Sequence, residues 1–493
     1  MIDPRIVAIH SGTSSYPTQP PYHPAETYPE QIAPNTDSES GNPTYGSVRE
    51  LFRLLGLDAG HFGEPEWNPL GELISPGDHV VIKPNLISEA RRSRPAEWDQ
   101  VVTHPAVVRA VVDFALKALA GKGRVTIADA PQTDSDFEQI RSRTGLGDTL
   151  TYYRERSLPV ELLDLRRDRW LQKNGITCKR ETLPGDPAGY VNIRLDQASE
   201  FRDYRLSGRF YGADYNSAET RRFHSNSRHE YVLSKTILGA DVLINLAKMK
   251  THKKTGVTLS LKNIVGANGY RNCLPHHTIG TPGEGGDEFP TSSLSNRTQS
   301  KAITAFKRRL ARTGGCGGPF MRAWLGLGKA AFGDTSAVIR SGNWHGNDTA
   351  WRMVLDLNKC LFSFGADGEP RRSPLRYLAL VDGIVAGEGN GPLEPDRKPC
   401  GLLVAGVNPV AVDTICAELM GFDFSRLPSL RSAWHVCELP LVNFEVPDIR
   451  CVSNVQTYEG PFAVVRTAGH CGFRPSLGWN GHIEKTGSGV RST

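Results

Sequence analysis

Two short β-branched runs, "HVVIKPNL" at 79–86 and "RVTIADAP" at 124–131, enclose the helical pattern "THPAVVRAVVDFALKALAGKG". This strand–helix–strand order constrains the fold more than any other feature of the chain. Val107, Val108, Val111, Ala115 and Leu119 recur at helical spacing. Thr103 or His104 suits the cap, Pro105 the first turn and Gly121 the stop. Two strands joined by a helical crossover pair in parallel, so the unit predicts an α/β fold with a mostly parallel sheet flanked by helices.

The same alternation returns downstream. "SDFE" at 135–138 is a capping-box pattern opening a helix to about Thr144, and "VELLDL" at 160–165 reads as a strand. "GADVLINLA" predicts a strand over about 241–246, and Val257, Leu261 and Ile264 mark a helix closed by Gly266. "GNDTAWRMVLDLNKCL" is a helix capped by Asn347 or Asp348. "YLALVDG" is a strand, and "GLLVAGVNPVAVDTICAELMGFD" is strand, turn and helix with Asn408 as cap, Pro409 at the first position and Gly421 at the end.

The expected organisation is an irregular arm over 1–78 and α/β segments at 79–165, 231–269 and 343–430. A polar insertion at 166–230, with room for a β-hairpin, and a loop and basic helix at 270–342 interrupt them, and a C-terminal extension fills 431–493.

Charge is balanced overall and unbalanced locally. Lys and Arg number 58 against 53 Asp and Glu, a net +5, which excludes a globally basic nucleic-acid binder and predicts no specific nucleic-acid partner. Yet Val242 through Gly283 contains no acid, while "NLAKMKTHKKTGVTLSLKN" at 245–263 holds five lysines and His252. Nine cysteines show no C-x-x-C spacing, so there is no self-contained iron–sulfur motif. "MIDPRIVAIHSG" lacks a signal-peptide pattern and no apolar run reaches membrane-spanning length, which predicts a cytoplasmic protein.

Predicted strands end on polar residues: Lys83 and Asn85, Asp129, Asn245 and Lys248, and Asp382. In open α/β sheets, ligands sit beyond the carboxyl ends of strands, so these side chains are expected to share a crevice. The lysine stretch connects a strand to a helix, with Thr255 as the expected cap. Lys248, Lys250, His252 and Lys254 should face one side of an extended segment, with Lys262 and Asn263 in the helix beyond. Ammonium groups beside a helix N-terminus suit a multiply charged anion such as a phosphate, diphosphate or nucleotide. Asp382 and Glu388 are candidate ligands for Mg or Mn, and Asp129, Asp382 and His252 are the candidate acid–base residues. The glycines of "GEGNG" at 387–391 would let backbone approach a ligand, whereas Asp413, one turn into its helix, reads as structural. There is no Walker loop, dinucleotide fingerprint, nucleophile elbow or H-E-x-x-H. The basic, partly apolar segment 301–322 predicts weak peripheral contact with an anionic membrane.

These blocks, "VVIKPNL…THPAVVRAVVDFA…VTIADAP", "DVLINLAKMKTHKKTGVTLSLKNIVG", "NWHGNDTAWRMVLDLNKCL" and "LVDGIVAGEGNGPL…GVNPVAVDTICAELMGFD", resemble the domain of unknown function 362 family over roughly 79–140 and 237–425. The resemblance implies no single activity. Some members look like iron–sulfur proteins through appended ferredoxin-type cysteine motifs, which this chain lacks. The expected function is binding of a phosphorylated or polyanionic small molecule at the strand ends, with group transfer or hydrolysis as the chemistry those residues suit. The alternatives are a non-catalytic binding or assembly protein and an iron–sulfur redox protein.

Overall fold

The computed structural model describes residues 2–32, 41–173, 176–212, 217–312 and 339–486. Its centre is a ten-stranded sheet. In chain order the strands are β1 (Ile6–Ser11), β2 (His79–Pro84), β3 (Arg124–Asp129), β4 (Val160–Asp164), β5 (Val242–His252), β6 (Gly256–Thr258), β7 (Arg376–Asn390), β8 (Glu394–Gly406), β9 (Arg450–Ser453) and β10 (Gly460–Pro461). They lie in the order β10–β9–β1–β8–β7–β5–β2–β3–β4, with β6 folded back on β5. The run β4–β3–β2–β5–β7 is parallel throughout. β8 is antiparallel to both β7 and β1, and β1 is parallel to β9. The fold is therefore α/β with a mostly parallel sheet, as the crossover pattern requires.

Both faces are covered, so the central strands are apolar on both sides. Val242, Ile244 and Leu246 of β5 face one core with helices α1 (Pro43–Leu54) and α2 (Pro105–Leu119). Leu243, Ala247 and Met249 face the other, with α3 (Ala350–Ser363) and α4 (Pro409–Met420). The caps follow the sequence signals. His104 Nδ1 accepts from the Ala106 N–H, and Asn408 Oδ1 from the Val410 and Ala411 N–H groups. Asn347, rather than Asp348, caps α3 by accepting from the Thr349 and Ala350 N–H groups.

The segments flanking the parallel core add to this picture, and one expectation changes. The arm expected over 1–78 contains β1, an interior strand of the sheet, and α1. Its partners β8 and β9 lie some four hundred residues away in sequence, so no local pattern reveals the pairing. The C-terminal extension supplies β9 and β10 to the sheet edge. The insertion at 166–230 holds the expected strand pair, Asp168–Lys173 with Ile176–Thr182, and Tyr190–Arg194 pairs with Arg228–Ser234. Of the basic segment 301–322, residues up to Arg312 end a helix that starts at Leu294; its remainder lies outside the described residues. Among the described residues, no helix is long and apolar enough to cross a membrane.

Candidate functional site

The lysine-rich stretch is not a loop. β5 continues through His252 and then turns back into β6, pairing Lys250 with Thr258 and His252 with Gly256. All eleven residues of β5 are buried, so its lysines are carried into the interior. Burying an ammonium is costly unless partners replace water, and each lysine meets this differently. Lys248 forms an ion pair with Asp382 at 3.0 Å and donates to the Tyr16 hydroxyl at 2.8 Å. Lys250 donates to Asn85 Oδ1 at 3.2 Å and to the Val101 carbonyl, with no carboxylate of a described residue in reach.

Beyond the ends of β2, β3 and β5 lies a cavity of about 40 Å3. This holds on the order of three water-sized groups, the size of one small oxyanion. Asn85, Asp129, Lys250, His252, Lys262 and Asn263 line it. One carboxylate faces this group, and it is engaged: Asp129 Oδ1 pairs with Lys83 at 2.8 Å and Oδ2 accepts from the Leu86 N–H at 2.7 Å. Gly266 makes this approach possible, because a Cβ there would lie 1.9 Å from Asp129 Oδ1 and 2.6 Å from Lys83 Nζ.

Two further residues complete the wall, and the sequence reading missed both. Arg271 donates to the Val265, Ala130 and Pro131 carbonyls; among the described residues no carboxylate lies within ion-pairing distance and its buried Nε has no partner. Thr258 lines the cavity with a buried Oγ1 that is also without a partner. Arg271 lies inside the acid-free run, which was the signal available for it. Lys262 stands apart from the other cations, since no described residue makes a hydrogen bond or ion pair with its ammonium.

Electrostatics follow from this crowding. Burial, then Arg271 and Lys83, push the Lys262 ammonium down to about 7. Burial, then Lys248 and Lys262, hold Lys250 well below the usual lysine range. Burial lowers Arg271 to about 10 although Asp129 opposes the shift. His252 is held well below its ordinary value by burial and by Lys262, Lys254, Lys253 and Lys250, so it is a neutral imidazole. Its Nδ1 accepts from the Lys254 N–H, which places the ring proton on Nε2.

Not every expected residue joins this cavity. Lys83 lies behind Asp129 as its partner. Asn245 binds the Ser260 carbonyl and the Tyr377 hydroxyl and accepts from Asn263, tying β5 to the short helix Ser260–Asn263. Lys248 and Asp382 form a separate cluster with Tyr16, in which Asp382 accepts from the Tyr16 hydroxyl and the His104 N–H and is fully buried rather than reaching a crevice. Glu388 accepts from Arg474 through both the backbone N–H and Nε at 3.0 Å. Asp382 and Glu388 thus belong to different ion pairs and do not form a shared metal site. Among the described residues, no three His, Cys, Asp or Glu side chains come together to hold a metal ion.

The helix end expected to take an anion is already capped by the protein. The Ser260 and Leu261 N–H groups each donate to Asp413 at 2.8 Å, and Thr255 plays no capping part. The alternate glycines of "GEGNG" lie within β7 and just beyond it and admit the protein's own backbone. A Cβ on Gly387 would meet the Gln100 carbonyl at 2.9 Å, and one on Gly391 the Thr251 carbonyl at 1.9 Å.

The model of the domain of unknown function DUF362 matches residues 80–186 and 200–418. The chain belongs to the DUF362 family. The match spans the parallel strands, the lysine-rich β5 and every residue of the cavity wall named above. A thylakoid-associated protein of Synechocystis sp., sll1697, is 22% identical over 362 residues, covering 73% of this chain and 68% of its own. A crystal structure of a Thermotoga maritima protein aligns with a TM-score of 0.31 and 10% identity over 76% of this DUF362 chain. This chain covers 58% of that protein's length.

Proposed function

We propose that this DUF362 protein binds a small molecule through a phosphoryl or comparable oxyanion group seated in the strand-end cavity. The observation that carries this reading is the cavity wall. Lys250, Lys262 and Arg271 face a space in which Asp129 is already paired with Lys83, and the donors Arg271 Nε and Thr258 Oγ1 are buried without partners. Buried donors without acceptors each cost folding free energy, so a ligand that supplies acceptor oxygens and negative charge stabilises the fold. The cations would also stabilise charge that grows on a bound group during transfer or hydrolysis. The cavity is small and Lys262 in its wall is only partly buried, so the rest of the ligand would extend outward past Lys262.

Thermal unfolding with sulfate, phosphate and pyrophosphate tests this. A ligand at a hundred times its dissociation constant stabilises the fold by about 2.7 kcal/mol. At least one of these anions is expected to raise Tm in the wild type at constant ionic strength. Lys262→Gln should fold normally, since no described residue partners its ammonium, and should lose most of the shift. Equal shifts for both proteins, or none for the wild type, would remove the proposal.

Proton linkage gives an independent check. Lys262 binds its proton in the unfolded chain up to its ordinary value of 10.5 but in the folded protein only up to about 7. Between these values the folded state holds fewer protons, so this group makes stability rise with pH across that window. An anion beside Lys262 favours the charged form and draws the proton back. Sulfate, which does not titrate here, should therefore bind at pH 8 with uptake of up to about one proton, read by calorimetry in buffers of different ionisation enthalpy. Lys262→Gln should reduce that uptake. Sulfate binding with no proton uptake would show that Lys262 does not contact the anion.

A further inference from the structure

Anion binding leaves the isolation of the Lys262 amine unexplained. Lysines that serve only as anion holders work as protonated, hydrated point charges. Here the lysine is placed where its charged form is disfavoured. Lys250 and Arg271 line the same cavity, and the one carboxylate among its described lining residues, Asp129, is turned to Lys83 and the Leu86 N–H. Every other buried lysine of this region has an acceptor: Lys83 has Asp129, Lys248 has Asp382, and Lys250 has Asn85 and a backbone carbonyl. A lysine with no partner among the described residues, crowded by cations, is an amine with its lone pair available, which is one of the ways proteins make a lysine nucleophilic.

We infer that Lys262 forms a Schiff base with a carbonyl-bearing anion, of the 2-oxo acid type, whose acid group sits against Arg271 and Lys250. This rests on the oxyanion reading of the same cavity and names the ligand class more closely. In the step, the Lys262 Nζ lone pair attacks the carbonyl carbon and forms the C–N bond. The C=O π pair moves to oxygen, which takes a proton, and nitrogen gives one up, leaving a carbinolamine. The C–O bond then breaks as that oxygen takes a second proton and leaves as water, while the nitrogen lone pair closes the C=N bond. No electrons are gained or lost. The second proton comes from solvent reaching the partly exposed Lys262; the neutral His252 ring, its Nδ1 held by the Lys254 N–H, keeps its proton on Nε2 and offers a hydrogen bond that orients the departing oxygen. Arg271 Nε and Thr258 Oγ1 are the donors left for the carboxylate. Once formed, an iminium held among cations would draw electrons from the adjacent carbon–carbon or carbon–hydrogen bond.

The test is reductive trapping on the full-length protein. Wild-type protein is incubated with pyruvate or glyoxylate and cyanoborohydride, digested, and mapped by mass spectrometry. One reduced adduct per chain, on Lys262, is the expected result, and excess inorganic phosphate or sulfate should suppress it by occupying the cavity. Lys262→Arg keeps the positive charge without the nucleophile. It should lose the adduct while keeping at least part of the anion-induced Tm shift, which also shows that it is folded. Adducts spread over surface lysines, equal in wild type and Lys262→Arg, or no adduct at all, would overturn the inference. If sulfate or phosphate still raises Tm in that case, the oxyanion reading stands and only the covalent step is wrong. If neither trapping nor stabilisation occurs, both fall.

Discussion

Asp382→Asn is expected to lose about 3–5 kcal/mol of folding stability, because it breaks a buried ion pair from one side. Lys248 and Asp382 are both fully buried and meet at 3.0 Å. Removing the carboxylate charge leaves the Lys248 ammonium in the core with the Tyr16 hydroxyl as its remaining partner. The new amide can accept from Tyr16 or from the His104 N–H through its single oxygen, so one of these donors also loses its acceptor. His104 caps α2 and stacks between Tyr16 and Trp98, with ring centroids 3.9 and 4.9 Å away, so the disturbance reaches the first crossover helix. Urea unfolding at pH 7 reads the loss. Adding Lys248→Met to Asp382→Asn removes the stranded charge and should restore part of it, as expected for groups that act as a pair. A single variant as stable as the wild type would show that this cluster does not hold the N-terminal segment to the sheet.

Gly266→Ala is the second large effect. A methyl group there would lie 1.9 Å from Asp129 Oδ1 and 2.6 Å from Lys83 Nζ, separations that force both side chains or the backbone to move. The Gly266 carbonyl also accepts from the Ala130 N–H at 2.9 Å, so the turn cannot withdraw without giving up its bond to the segment after β3. Overpacking of this kind costs about 1–3 kcal/mol, and more where a buried ion pair is displaced. The same methyl group would intrude on the cavity, so Gly266→Ala should also lose the sulfate- or phosphate-induced rise in Tm. Normal stability with an unchanged anion response would place Gly266 away from the pair and the cavity.

Much of the frame was legible from local chemistry. The strand–helix–strand unit over 79–131, the cap residues His104 and Asn408, and the apolar run that opens β5 follow from periodicity and capping preferences, which neighbouring residues in the chain set. The absence of acids over 242–283 marked the right neighbourhood for the cavity, because sequence-local carboxylates cannot neutralise those lysines. Lys250, His252, Lys262 and Asn263 came out of that run, and Asn85 and Asp129 from their places at strand ends.

What the chain could not show locally were pairings across long sequence distances. Whether a lysine on β5 is a free cation or a structural one depends on which carboxylate the sheet brings to it. Asp382 reaches Lys248 because β7 lies beside β5 in register, and Asp413 reaches the Ser260 N–H because α4 packs on the same face. Those two contacts turned an expected metal ligand and an expected anion-binding helix end into parts of the frame. Burial did the rest. A strand covered on both faces takes its lysines into the core, where solvation is lost and the nearest partner decides the charge. The sequence by itself determined a parallel α/β sheet and a basic strand end within it. Only packing brings Asp382 to neutralise Lys248, sets Arg271 and Thr258 in the wall, and leaves Lys262 in the cavity with no described residue as its partner.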